Sequence, residues 1–334
     1  MKRLKGCFLY PKGGLRGVFL YPKSNFFPSP HPSFLAWAKS VGCRIMETPM
    51  GFGEMKKPIP KRCAFLLLES PYCLPYAKEY KNANPGCKVV QIIADTTFLP
   101  VKLWLARRLY YWLYMGCVDA FIVQSQRIRS DALIYGIRKP IYVLRSSIAN
   151  KCEPKRNKMY NNNMLFVGNS VREKGSIEAA NAMRYLYGDK TGKGRFELFL
   201  VGSCCDNIHP ERSSNIVAYG KVSSLKEYFD KCTYYLHPSD FDPCPSSVWE
   251  AMYAGLLPII TQDVGQSELF DGELSVLVLD SNEPKVIADK VREIDALSKN
   301  KKHRLQRLCM KLVSNYTKEK SLREFKKVFA DVFE

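Results

Sequence analysis

Two acidic patterns overlap in SDFDPCPSSVWEAMYAGLLPI, residues 239–259, and they point to different chemistry. Asp240-Phe241-Asp242 has the Asp-x-Asp spacing that holds a divalent metal against a nucleotide diphosphate, because carboxylate oxygens suit hard cations. Asp242 and Glu250 form a second pair, with seven residues between them. Further upstream, MLFVG (164–168) ends a strand-like run in Gly168, and NSVREKGSIEAANAM follows it. A strand that ends in Gly and feeds a helix sets backbone N–H groups and the positive helix end where a diphosphate can bind. Lys174 is then a point charge within reach of that phosphate. The same strand-to-helix arrangement recurs where TYYLH (233–237) leads through His-Pro-Ser and Asp-Pro-Cys-Pro into a helix that begins near Ser247.

The elements that would carry these residues alternate along the chain. In the first half, 17–21, 43–47, 63–68, 88–93, 120–124 and 140–144 read as strands, with helical stretches such as 32–41, 99–116 and 125–135 between several of them. After the polar, aperiodic segment 151–163, the strands 164–168, 196–202, 215–220, 233–237 and 257–261 continue the pattern. Alternating β and α segments predict an α/β protein with parallel sheets and crossover helices. A chain of 334 residues exceeds one ordinary core. The division expected is 1–150, a linker at 151–163, a second domain at 164–318, and an amphipathic C-terminal helix at 319–334 that can pack back on the first domain.

Charge divides the halves. Residues 1–150 hold 23 Lys and Arg against 7 Asp and Glu, a net of +16, while residues 151–334 hold 28 against 25, a net of +3. A basic surface concentrates anionic partners, either lipid headgroups or nucleic acid. The 12 cysteines show no Cys-x-x-Cys spacing, which reads as reduced thiols and points to the cytosol rather than to a disulfide framework or a zinc site. The basic start MKRLKGCFLYPKGG has too short an apolar run for a signal peptide, and no run approaches the roughly 18 apolar residues of a spanning helix.

Glu250 also has a structural reading, since Ser247-Val-Trp-Glu250 fits a capping box in which the Glu returns to the cap backbone. Its company favours function. Gly168 to Lys174, Pro238-Ser239, Asp242 to Glu250, Ala251 to Gly255 and Val264-Gly265-Gln266-Ser267-Glu268 occur in order. In this the chain resembles the retaining glycosyltransferases of family 4 (group 1), which have the GT-B fold of two facing Rossmann-like domains with a cleft between them. The motif match covers about 164–270, and the first half matches in strand order only.

That resemblance implies a nucleotide-sugar donor site on the second domain, with Gly168, Asn169, Arg172, Lys174, Gly202, Asp242, Ser246, Ser247, Val248 and Glu250 around it. Asp242 would hydrogen-bond donor-sugar hydroxyls and Glu250 would bind the ribose. Lys174 and the amides at 246–248 would meet the diphosphate, where negative charge develops as the sugar leaves. A metal-binding Asp-x-Asp belongs to the single-domain GT-A fold, so no metal and no other cofactor is expected, and Asp240 is a loop carboxylate. Asn169 stands where the family often has Arg, which leaves Arg172 as the nearest one, and Pro245 stands where many members have Gly. Of the histidines, His209, His237 and His303 read as surface or packing residues.

On the acceptor side, Asp95 follows strand 88–93 at the edge where ligands meet parallel sheets. Arg107 and Arg108 lie in an aromatic helix, 101–115, that is either buried or set in a membrane interface. The repeat GCFLYPKG (6–13) and GVFLYPKS (17–24) flanks Gly13-Gly14, which reads as a β-hairpin turn or as a glycine-rich acceptor loop. The function expected is transfer of a sugar, with retention, to a lipid-linked or membrane-surface acceptor by a cytoplasmic protein peripheral to an anionic membrane. The alternatives are transfer to nucleic acid, whose phosphates attract the same charge, and an inactive sugar-nucleotide-binding protein.

Overall fold

The computed structural model describes residues 17–22, 30–49, 55, 58–61, 63–94, 105–148, 160–169, 172–187, 196–208 and 215–333. Two units separate by their internal contacts. The first takes the chain up to Val123, Ile128–Leu144 and the segment from Leu322 onward; the second takes Gln124–Arg127 and Arg145–Ser321.

The first unit is built on six parallel strands, β1 (Gly17–Pro22), β2 (Arg44–Thr48), β3 (Phe65–Leu68), β4 (Lys88–Ile93), β5 (Ala120–Val123) and β6 (Ile141–Val143), in the order β2-β1-β3-β4-β5-β6. Phe65, Leu66, Leu67 and Leu68 are all buried, as expected of a parallel strand covered on both faces. Helices α1 (Pro32–Ser40), α2 (Leu74–Ala83), α3 (Leu105–Tyr114) and α4 (Gln126–Ile134) lie between the strands in sequence. The C-terminal helix, Lys318–Phe333, completes this core: Phe325 stacks on Trp37 at 5.3 Å between ring centroids, and Phe329 meets Phe65 edge-on at 4.7 Å.

Two expectations change here. The hairpin reading of the repeat fails, because both hydrogen-bonding edges of β1 are taken by the parallel strands β2 and β3. Residues 6–13, with Gly13 and Gly14, lie outside the described residues, as does Asp95. The helix expected over 99–116 is described from Leu105 to Tyr114 and runs on as a 3-10 turn, Met115–Cys117. Its faces differ, which a count of aromatics could not reveal. Tyr111 and Met115 are buried and the Tyr110 hydroxyl donates to Pro71 O, whereas Trp112 is 75 % exposed. Leu109 and Leu113 are exposed beside Trp112.

The second unit holds β7 (Asn163–Val167), β8 (Glu197–Val201), β9 (Ile216–Gly220), β10 (Tyr234–His237), β11 (Leu257–Thr261) and β12 (Val278–Leu279), in the order β12-β11-β10-β7-β8-β9 and all parallel. This is the doubly wound Rossmann order, with the switch point between β7 and β10. The two residues of β12 are too few to show a strand pattern in sequence. Helices α5 (Ser176–Tyr187), α6 (Lys226–Lys231), α7 (Ser246–Tyr253), α8 (Pro284–Asp295) and α9 (Lys299–Val313) accompany this sheet. The end of the segment expected to be linker is held to the second unit: Tyr160 donates to Gln306 Oε1 at 2.8 Å, and Asn161 N–H donates to Thr233 Oγ1 at 2.8 Å. The whole is an α/β protein of the GT-B class, with two Rossmann-like parallel sheets.

Candidate active site

The loops after β7 and β10 leave the sheet at the switch point of the second unit, where doubly wound folds bind ligands. The first of these loops forms a 3-10 turn, Arg172–Lys174, and the second runs from His237 to α7. They are fastened to each other. Glu173 O accepts from Asp240 N–H at 2.9 Å and from the Ser239 hydroxyl at 2.6 Å. Gly175, with φ +79°, makes the approach possible, since a Cβ there would lie 2.0 Å from Pro238 O. The Pro238-Ser239 motif thus sets the turn that carries Lys174.

Lys174 Nζ is thereby delivered to Asp242 Oδ2, with which it forms an ion pair and hydrogen bond. His237 Nε2 lies 2.9 Å from the same oxygen, and its ring is flanked by Phe166 and Tyr235 at 6.1 and 6.2 Å. Burial alone would raise the Asp242 pKa, but the Lys174 charge and the His237 hydrogen bond outweigh it and hold the carboxyl at about 2. Asp242 is therefore a carboxylate at any physiological pH. Its backbone is clamped as well, since its N–H donates to Asp263 O at 3.2 Å and its carbonyl accepts from Gly265 N–H at 2.8 Å. The Val264-Gly265 motif holds Asp242 in place.

Helix α7 begins with Pro245 as its N-cap and has no side-chain cap bond. The capping box is accordingly corrected: Ser247 lies inside the helix with its Oγ accepting from the Tyr235 hydroxyl at 2.7 Å, and Glu250 is a full turn in. Glu250 is buried at 2 % exposure, one turn below the uncapped helix end. Val248 N–H is already given to Pro245 O at 3.2 Å, so the amides of Ser246 and Ser247 are the ones this helix end offers to an anion. Gly255, with φ +81°, closes the helix, its N–H donating to Met252 O at 3.1 Å.

The other expected residues lie on several elements. Gly168 and Gly202 join strand ends: Gly202 has φ +111°, and a Cβ on it would lie 2.1 Å from Gly168 O. Asn169 is exposed on the loop after β7. Arg172 is in the 3-10 turn with its side chain outside the described residues, as are the side chains of Arg107 and Arg108 in α3. Asp240 and Asp242 have separate partners: Asp240 Oδ1 accepts from Asn282 Nδ2 at 2.6 Å at the surface, while Asp242 is buried with Lys174 and His237. His237, read from sequence as surface or packing, is the residue that was missed. The available signal was its place as the last residue of a switch-point strand, directly before Pro238-Ser239.

Glu268 ends the motif series with a structural task. Its two oxygens accept from Gln126 N–H at 3.0 Å and Arg127 N–H at 2.8 Å at the start of α4, and Oε2 also pairs with Arg145 at 2.5 Å. A carboxylate on the first amides of a helix satisfies groups that have no intrahelical partner.

Residues 161–295 match the family model described as glycosyl transferases group 1. In fold, the chain is similar to HepE of Anabaena in complex with UDP and glucose, with TM-score 0.75 and 13% identity over 95% of this chain and 99% of that one. It is similar to a glycosyltransferase from Rickettsia africae ESF-5, with TM-score 0.72 and 13% identity over 96% and 99% of the two chains. Sucrose-phosphate synthase from Thermosynechococcus elongatus gives TM-score 0.72 at 12% identity, over 95% and 99%. No curated protein matches by sequence.

Proposed function

We propose that this GT-B protein, whose residues 161–295 match the group 1 glycosyl transferases, moves a sugar from a nucleotide-sugar donor to a hydroxyl acceptor with retention. The observation that carries the reading is the buried Asp242 carboxylate, held by Lys174 and His237 at the switch point of the second sheet beside Glu250 and the uncapped end of α7. An ionised carboxylate suits sugar hydroxyls, which donate to it. Lys174 has two further N–H donors for the diphosphate, and the amides of Ser246 and Ser247 add fixed dipoles. Glu250 receives the ribose hydroxyls. In the step itself the bond from C1 to the phosphate oxygen breaks, the bond from C1 to the acceptor oxygen forms on the same face, and the acceptor proton passes to the departing phosphate. Fixed donors stabilise that phosphate without reorganising. HepE, crystallised with UDP and with UDP-glucose, favours a UDP-sugar as the donor.

No metal is needed in this reading, because Lys174 and the helix end supply the positive field, and Asp242 Oδ2 already has two partners. The acceptor is lipid-linked or held at an anionic membrane surface, and the protein is cytoplasmic and peripheral. Support comes from the net +16 of residues 1–150 and from Leu109, Trp112 and Leu113, spaced i, i+3, i+4 on the exposed face of α3. No helix among the described residues is long and apolar enough to cross a membrane.

The test is binding of UDP and turnover of UDP-glucose by wild type, Lys174→Ala and Glu250→Ala, with and without a chelator. Turnover should fall about 10²-fold or more in each variant, with the fold retained, and chelator should leave wild type unchanged. A wild type that neither binds UDP nor turns over any of a panel of UDP-, GDP- and ADP-sugars would end the glycosyltransferase reading, and binding without turnover would leave a sugar-nucleotide-binding protein.

A further inference from the structure

The first unit has a switch point of its own. In the order β2-β1-β3-β4-β5-β6 the chain leaves β1 toward one side for β2 and returns on the other side for β3, so the loops after β1 and β3 diverge at the carboxyl ends of adjacent strands. Glu69, the first residue after β3, stands at that divergence. Its N–H donates to Leu20 O of β1 at 3.0 Å, which fixes it beside the β1 end. Its Oε1 accepts from His31 N–H at 2.6 Å, at the start of α1. Its Oε2 is buried and has no hydrogen-bond partner among the described residues.

The neighbours do not close that valence. The Tyr21 hydroxyl, at the β1 end, is given to Glu47 Oε1 at 2.9 Å. From β2, Thr48 Oγ1 is given to Tyr21 O at 3.3 Å, and it also lies 3.5 Å from Cys73 Sγ in the 3-10 turn Pro71–Cys73. No ion pair of Glu69 is present among the described residues. Burial pushes its carboxyl up to about 7, against the opposing effect of the His31 N–H. A buried oxygen left without a donor is costly. If Glu69 served packing alone, an apolar residue would avoid that cost, so the open valence has the character of a ligand contact.

We propose that Glu69 binds the acceptor, with Oε2 accepting a hydrogen bond from a hydroxyl of a sugar or polyol. This rests on the glycosyl-transfer reading and gives it an acceptor contact in the first unit. The ligand class is a neutral hydroxyl: a phosphate or carboxylate would be repelled by the ionised form, so any anionic group of the acceptor lies elsewhere.

The experiment uses the full chain at pH 8, where Glu69 is ionised, saturated with UDP, titrated with methyl α-D-glucopyranoside and with octyl β-D-glucopyranoside below its micelle concentration, and read by saturation-transfer NMR. Calorimetry on the same samples measures UDP binding. Wild type should bind a probe saturably, and Glu69→Gln, which replaces an acceptor oxygen by an N–H donor, should weaken it about fivefold or more while UDP affinity stays within twofold. Glu69→Asp, which keeps the charge but withdraws it by one methylene, should weaken it too, and serves if the Gln variant does not fold. Absence of probe binding to wild type, or equal binding by the variants, overturns the assignment of Glu69. Failure of wild type to bind UDP would instead overturn the donor reading.

Discussion

His237 Nε2 and Asp242 Oδ2 are 2.9 Å apart, and because Asp242 is ionised the shared proton belongs to the imidazole. In the neutral ring this leaves Nδ1 bare, and Nδ1 is buried without a hydrogen-bond partner among the described residues. His237 therefore acts on substrate only through Asp242, as a positioning residue. His237→Ala should lower kcat about tenfold or more with KM for the donor changed less, and His237→Gln, whose amide nitrogen can replace Nε2–H, should recover much of that loss. Equal damage from both variants would make His237 a packing residue.

Acid stability should report the same contact. The Asp242 pKa is depressed in the folded state, so its contribution is present above the unfolded value near 4 and is lost as pH falls through about 2. On that shift it is on the order of 2 kcal/mol. Asp242→Asn should reduce stability at pH 6 and leave a shallower loss between pH 4 and pH 2. An unaltered acid limb in denaturant titrations would show that the ion pair contributes nothing.

Glu69 should act in the opposite direction. Its folded-state pKa is raised, so the native state retains a proton the unfolded chain has released, and stability declines as pH rises from about 4.5 through about 7. Of the side chains near it, Tyr21 from β1 and Cys73 from the 3-10 turn are pushed up to about 12, above that window, while the His31 imidazole at the N-cap of α1 and Glu47 of β2 are common to wild type and variant. Glu69→Gln should raise Tm at pH 8 and leave it nearly unchanged at pH 4.5. A uniform shift at both pH values would contradict the assignment.

The proposed membrane association would have separable parts. The protein should sediment with anionic and not neutral liposomes, and salt should weaken this without abolishing it, because charges beyond about 8 Å are screened while apolar insertion persists. Arg107→Glu with Arg108→Glu should reduce the electrostatic part, and Trp112→Ser the salt-resistant part. Retention on duplex DNA in place of liposomes would move the acceptor to nucleic acid.

Most strands were legible because parallel strands buried on both faces read as unbroken apolar runs, as Phe65–Leu68 and Leu257–Thr261 do. The donor-side motifs were legible because spacing along a loop survives folding, so that Lys174 and Asp242 fall in one expected donor site, one toward the diphosphate and the other toward the sugar; their ion pair with each other has no signal in the spacing. His237 was hidden because a histidine at a strand end looks alike whether its ring packs or binds. Glu69 has no sequence signal of its own, because only the strand order identifies the end of β3 as a switch point. The capping box misled because Ser247 and Glu250 have the spacing, yet the N-cap is Pro245, two residues earlier.

The pairing of Phe325 with Trp37, and of Phe329 with Phe65, has a consequence for how the chain is made. The residues that finish the first core leave the ribosome after the whole Rossmann sheet of the second unit. The amino-terminal half must therefore wait, with Trp37 and Phe65 uncovered, while the carboxyl-terminal half folds. A fragment ending near residue 144 would keep every strand of its sheet and still lack part of its own interior, whereas a circular permutant that joins the final helix ahead of residue 17 would bring that interior together at the start of synthesis.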